Sequence, residues 1–265
     1  MVKSEQPWRV LASRPVQQNK AWVAHLKGVG FATLEVPLLE IVTATTPEQL
    51  QAIKQIILDF DQFDGVIFVS QNAVQHTWAW LDQYWPQLPT AMNYFAVGQK
   101  TACEITKLLL PQSTGGVTAA VEAMNSEELL SLDALQQVEN KKILICRGIG
   151  GRTTLAEQLQ ARGARVSYCE LYERALPKSA ISELAANKFS DERDLLSVFS
   201  GETLENLVQA MRLAELSLQH LPLLVPGERV AAAARVAGFQ QLIIARNASE
   251  PEMLAALTQF IQTSG

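Results

Sequence analysis

Short apolar runs alternate with amphipathic stretches along nearly the whole chain. The runs RVLAS, GVIFVS, YFAVG, KKILIC, RVSYCELY, LLSVFS, PLLVPG and QLIIAR read as strands. Between them apolar side chains recur three and four apart, which predicts helices over 17–28, 47–59, 73–83, 99–109, 126–137, 153–162, 202–213, 228–237 and 251–262. Near-continuously apolar strands alternating with helices predict parallel sheets covered on both faces, an α/β fold.

The pattern repeats. Arg14 follows RVLAS, and Gly30 closes the next helix sixteen residues later; Arg147 follows KKILIC, with Gly163 sixteen later. DGVIFVSQNAV and DLLSVFSGETL both set Ser six residues after Asp, at Asp64/Ser70 and Asp194/Ser200, and GQKTA at Gly98 matches GERVA at Gly227. These matches point to two copies of one unit of about 130 residues, and the chain is long enough for one large domain or two of ordinary size. Spacing alone leaves open whether the first piece, 8–37, packs with 64–109 or with 194–246. EVPLLEI (35–41) and YCELYER (168–174) follow the two matching pieces at the same offset and read as extended connectors.

The stretch CRGIGGRTTLAEQL adds candidate chemistry. An apolar run enters Arg147, Gly148, Gly150, Gly151 and Arg152, and a helical pattern opens at Thr153-Thr154. Glycines let successive backbone N–H groups converge, and a helix N-terminus adds partial positive charge, so the turn suits a phosphate or a carboxylate. A tight strand-to-helix turn that binds nothing has the same pattern.

Composition narrows the field. The chain has 265 residues, is 48% hydrophobic and 18% charged, and carries a net charge of −5. No Lys/Arg cluster exceeds two or three residues, which argues against a nucleic-acid partner. Cys103, Cys146 and Cys169 are scattered, MVKSEQPW has no apolar signal core, and no run reaches membrane-spanning length, so a cytoplasmic protein is expected. His25, His76 and His220 lack metal-ligand spacing, and His76 and His220 read as surface or core residues. No GxxxxGK[ST] or GxGxxG motif is present.

Taken in order, SRP after the first strand, VPLLEI, FVSQNAV, YFAVGQKTA, NSEELL, the ILICRGIGGR…RGA.V..CELYER segment and VFSGETLENLV make the chain resemble the uroporphyrinogen-III synthase family. That resemblance implies two similar parallel-sheet α/β domains of flavodoxin-like type joined by a two-stranded antiparallel linker. Domain one would be discontinuous, 1–36 with 174–265; domain two, 40–170, would be inserted, with 36–41 and 168–174 as connecting strands. It implies a cytoplasmic, monomeric lyase that cyclises hydroxymethylbilane, inverting the last pyrrole and losing water, with no cofactor and possible transient contact with hydroxymethylbilane synthase. The chain departs from the family pattern at Val69-Ser70, Phe199-Ser200 and Gly227. A non-enzymatic two-lobed α/β binder of an anionic small molecule is the alternative.

Tyr172 is the side chain that the resemblance assigns to chemistry, on the connector, as a proton donor to the departing hydroxyl. An aromatic anchoring a strand is the other reading of it. Substrate contacts are expected at Arg14, Ser70, Asn72, Gly98, Thr101, Ser126, Arg147, Gly150, Gly151, Arg152, Ser200 and Gly201, most at the C-terminal ends of predicted strands. Each serine could instead cap a helix. Arg14 and Arg174 could meet carboxylates or form interdomain salt bridges.

Overall fold

The computed structural model describes residues 7–89, 92–112, 117–119 and 125–264. Most of the stretch MVKSEQPW lies outside them. In chain order the elements are β1 (Arg9–Ala12), α1 (Val16–Gly28), β2 (Ala32–Glu35), β3 (Glu40–Thr43), α2 (Pro47–Leu58), β4 (Gly65–Phe68), α3 (Gln71–Tyr84), β5 (Asn93–Ala96) and α4 (Gln99–Leu108). They continue with β6 (Val117–Ala119), α5 (Ser126–Leu129), α6 (Asp133–Gln136), β7 (Lys142–Gly148), α7 (Thr154–Ala161), β8 (Arg165–Ala175) and α8 (Lys178–Ala186). The last are β9 (Asp194–Ser197), α9 (Gly201–Leu213), β10 (Leu223–Val225), α10 (Glu228–Val236), β11 (Leu242–Ile244) and α11 (Glu250–Ser264). The chain divides into two compact units, Met1–Glu40 with Ala175–Gly265, and Ile41–Arg174.

In the first unit the sheet order is β11-β10-β9-β1-β2, and β1 pairs in parallel with both β2 and β9. Alternate residues of each strand feed opposite faces, as a two-residue period requires. Leu11, Leu196 and Val225 join one core, while Val10, Leu195 and Leu224 join the other with Trp22 and Met253. The helices supply matching stripes: α9 buries Thr203, Leu204, Leu207, Ala210 and Met211, at helical spacing. Asp194, 2% exposed, accepts two hydrogen bonds from Arg9 at 2.7 Å, so its buried charge is compensated.

In the second unit the order is β3-β8-β7-β4-β5-β6, with β8, β7, β4, β5 and β6 pairing in parallel. Val66, Phe68, Tyr94 and Cys146 face one core; Ile67, Phe95, Ile143 and Ile145 face the other. Read across each sheet, β2-β1-β9-β10-β11 corresponds to β8-β7-β4-β5-β6. The two units share one flavodoxin-like strand order, with their pieces joined in different chain order. In both, chain direction across the sheet reverses at one place: between β1 and β9, and between β7 and β4.

Several elements differ from the sequence expectation, among them β2 and β3, which fall outside the apolar runs read as strands. The helix expected over 126–137 is two single turns, α5 and α6. Both Leu130 and Leu135 carbonyls accept from Arg162 Nη1 at 2.8 Å, which satisfies the groups freed by the break. Helix α8 has no counterpart in the periodicity reading, because it buries only Ala180 and Leu184. Strand β6, only three residues long, also escaped that reading. The segment 168–174 is the continuation of β8, paired with β7 as far as Tyr172. Most of 36–41 lies outside a strand, with Val36 and Leu38 donating their N–H groups to the carbonyls of Ala12 and Ser13.

Candidate functional site

The reversal between β7 and β4 sets the end of β4 beside the glycine-rich turn after β7. Crevices outside the carboxyl ends of strands at such reversals are where open α/β sheets bind ligands. Ser70, Asn72, Gly98, Thr101 and the turn Gly148–Arg152 all stand at this edge of the second unit, just after β4, β5 and β7.

Ser70 is the N-cap of α3, and its Oγ accepts the N–H of Ala73 at 3.1 Å. The same Oγ lies 2.8 Å from the Tyr172 hydroxyl. Tyr172 is 1% exposed, deep in the core with Phe68 and Cys146, whereas Ser70 is half-buried. The Tyr172 ring stacks on His76, with ring centres 5.2 Å apart and 27° between planes. It also runs against Gly148, where an added Cβ would stand 2.7 Å from Cε2. Ile149 donates its N–H to the Tyr172 carbonyl at 2.7 Å. Burial pushes the His76 pKa down, favouring the neutral ring.

Arg147 is held within its own turn. Its guanidinium is buried, 5% exposed; Nε donates to the Gly148 carbonyl and Nη1 to the Arg152 carbonyl, each at 3.1 Å. It stacks over the Tyr168 ring at 4.7 Å, and Glu170 stands 3.7 Å away. This guanidinium is committed to its own turn, which it staples from beneath. Gly150 adopts φ +72°, a conformation that side chains resist, and Gly150, Gly151 and Arg152 are exposed. A Cβ on Gly151 would overlap the Arg147 guanidinium. Gly151→Ala is therefore expected to dislodge the staple, costing about 1 kcal/mol of stability and raising KM. Thermal unfolding with steady-state kinetics checks this; wild-type values in both would contradict it.

The other expected residues divide into distinct situations. Thr101 is buried in the first turn of α4, whose N-cap, Gly98, has φ +82°. Asn72 is half-buried in the first turn of α3. Ser126 is not the cap of α5: Asn125 is, its Oδ1 accepting the Glu128 N–H at 2.9 Å.

In the first unit the matching edge carries Ser200, N-cap of α9, which accepts from Thr203 N at 3.1 Å, with Gly201 following. Gly227 caps α10 with φ +122°, as Gly98 caps α4. Ser70 and Ser200 are thus equivalents in backbone role. They differ in their second partner, Tyr172 for one and the Thr203 hydroxyl for the other. Arg14 pairs with Glu250 at 2.6 Å inside its own unit, bonds Gln18 and stacks 4.4 Å over Phe199.

Sequence reasoning placed His76 among surface or core residues and gave Gly148 no role of its own beyond the turn. Nothing local ties His76 to Tyr172, ninety-six positions away; they meet only because α3 packs against the sheet beside β7. Among the described residues no cluster of three metal-ligating side chains is found, and no helix is long and apolar enough to cross a membrane.

Comparison with known proteins bears on this geometry. A family model described as "Uroporphyrinogen-III synthase HemD" matches residues 20–255. The uroporphyrinogen-III synthase of Salmonella typhimurium is 34% identical over 250 residues, covering 94% of this chain and 99% of that protein. The Escherichia coli enzyme is 33% identical over 258 residues, with the same coverage. The fold matches a crystal structure of the Helicobacter pylori uroporphyrinogen-III synthetase with a TM-score of 0.60 at 17% identity, over 96% of this chain and 99% of that one.

Proposed function

The chain belongs to the uroporphyrinogen-III synthase family, lyases of porphyrin and heme biosynthesis, and from that premise we propose how the second unit serves the cyclisation of hydroxymethylbilane. The 2.8 Å contact between the Ser70 and Tyr172 hydroxyls carries the proposal. A phenol at 1% exposure is poorly placed to touch a large substrate directly, whereas Ser70 is half-exposed. Ser70 therefore meets the terminal hydroxymethyl group, and Tyr172 acts through it. As the carbon–oxygen bond breaks, the Ser70 proton passes to the leaving oxygen and the Tyr172 proton passes to Ser70. Water departs, and the pyrrole nitrogen's electron pair fills the carbon. The proton lost from the attacking pyrrole as the ring closes returns to Tyr172 along the same path.

Exposed backbone N–H groups of the Gly150–Arg152 turn, backed by the N-terminus of α7, take a substrate carboxylate, with Arg152 as the available cation. Arg147 preserves that turn's shape and does not bind substrate. Asn72, Gly98 and Thr101 complete the same edge, and Ser200 and Gly201 offer carboxylate contacts in the first unit. Holding a flexible chain in one closing geometry contributes several kcal/mol by proximity.

Tyr172→Phe tests the relay. It keeps the ring and removes the hydroxyl, and because Ser70 still carries its own proton kcat should fall only about tenfold, below the usual range of general-acid effects. Loss of one hydrogen bond should cost only about 1 kcal/mol of stability. A wild-type kcat would sink the reading.

A further inference from the structure

We propose that His76 is a positioning residue for the hydroxyl pair, holding the Tyr172 ring in the orientation from which its hydroxyl reaches Ser70. The inference rests on the relay reading above and adds a residue that the site's chemistry does not itself require. Its basis is that one helix grips Tyr172 at two points. Ser70, the N-cap of α3, meets the hydroxyl, and His76, six residues further along, meets the ring face. A phenolic O–H lies preferentially in the plane of its ring, so fixing the plane fixes the direction of the proton. A stacked neighbour also resists the χ1 swing that would carry the hydroxyl away from Ser70. Gly148 packs against the same ring through its missing side chain. His76 is half-buried while Tyr172 is almost fully buried, and the imidazole covers one face of the phenol ring.

Burial pushes the His76 pKa down, which favours an uncharged ring in this stack.

A double-mutant cycle tests the inference. His76→Ala should lower kcat about fivefold with KM within about twofold, a coupling in the range expected of residues in contact. His76→Phe, which restores a stacking ring, should recover most of the loss. His76→Leu fills the space without an aromatic plane and should behave like the alanine variant. In the Tyr172→Phe background no hydroxyl remains to be oriented, so His76→Ala should leave kcat unchanged there while lowering the melting temperature as much as in wild type. A purely structural His76 would give equal kcat losses in both backgrounds, and that result, or a wild-type kcat for His76→Ala, would overturn the proposal. Wild-type turnover in Tyr172→Phe alone would instead overturn the relay, and the proposal with it.

Discussion

Ser70→Asn is expected to slow turnover by about a hundredfold while leaving the protein folded. Asparagine caps helices as well as serine does, so α3 should keep its N-terminal hydrogen bond and stability should change by only a few tenths of a kcal/mol. What it lacks is a hydroxyl that can give a proton to substrate while taking one from Tyr172. General-acid assistance is typically worth 10²–10⁴-fold, and a hydroxymethylpyrrole that can lose hydroxide unaided places the effect near the lower figure. Ser70→Thr keeps the hydroxyl and should retain far more activity. Steady-state kinetics alongside thermal unfolding separates the two roles of Ser70. An asparagine variant with kcat within twofold of wild type would show that Ser70 only caps the helix.

Gly148→Ala is expected to produce the largest combined loss of stability and activity at this edge. The new methyl would lie 2.7 Å from Tyr172 Cε2 and 3.2 Å from Cδ2 and Cζ. The ring has nowhere to go, being stacked on His76 and 1% exposed. The strands cannot easily part either, because Ile149 N is bonded to the Tyr172 carbonyl. Overpacking of this kind costs about 1–3 kcal/mol. Any relief by ring movement would break the Ser70 contact, so kcat should fall together with the melting temperature. Denaturant unfolding and kinetics on the one variant provide the check, and an unchanged melting temperature would mean the contact is softer than the geometry implies.

Much of the architecture was legible in the sequence because it rests on local periodicity. Runs such as GVIFVS and LLSVFS fill both faces of a sheet, and the buried stripe of α9 sits at the spacing that the pattern predicts. The match of Asp64/Ser70 with Asp194/Ser200 corresponds to two helix caps with the same backbone role. Helix α8 was not legible, since two buried side chains make too narrow a stripe to register as a period. The break between α5 and α6 depends on Arg162, some thirty positions away, and no local pattern reports it. For the site, the strand-to-helix turns were visible as glycines and small hydroxyls. The commitments of the charged groups were not. Arg147 and Arg14 looked equally available for an anion, yet one staples its own turn and the other pairs with Glu250. Which partner a guanidinium takes is decided by tertiary contacts, and the same holds for the stacking of His76 on Tyr172.

The central claim is that this chain closes hydroxymethylbilane with inversion of the last ring. Its most direct test generates the bilane in situ from porphobilinogen with its deaminase, adds the protein, oxidises the mixture and separates the uroporphyrin isomers. Type III should predominate with the wild-type protein and give way to type I, the product of unassisted closure, as Ser70→Asn slows the enzymatic route. Type I alone from folded wild-type protein would contradict the claim.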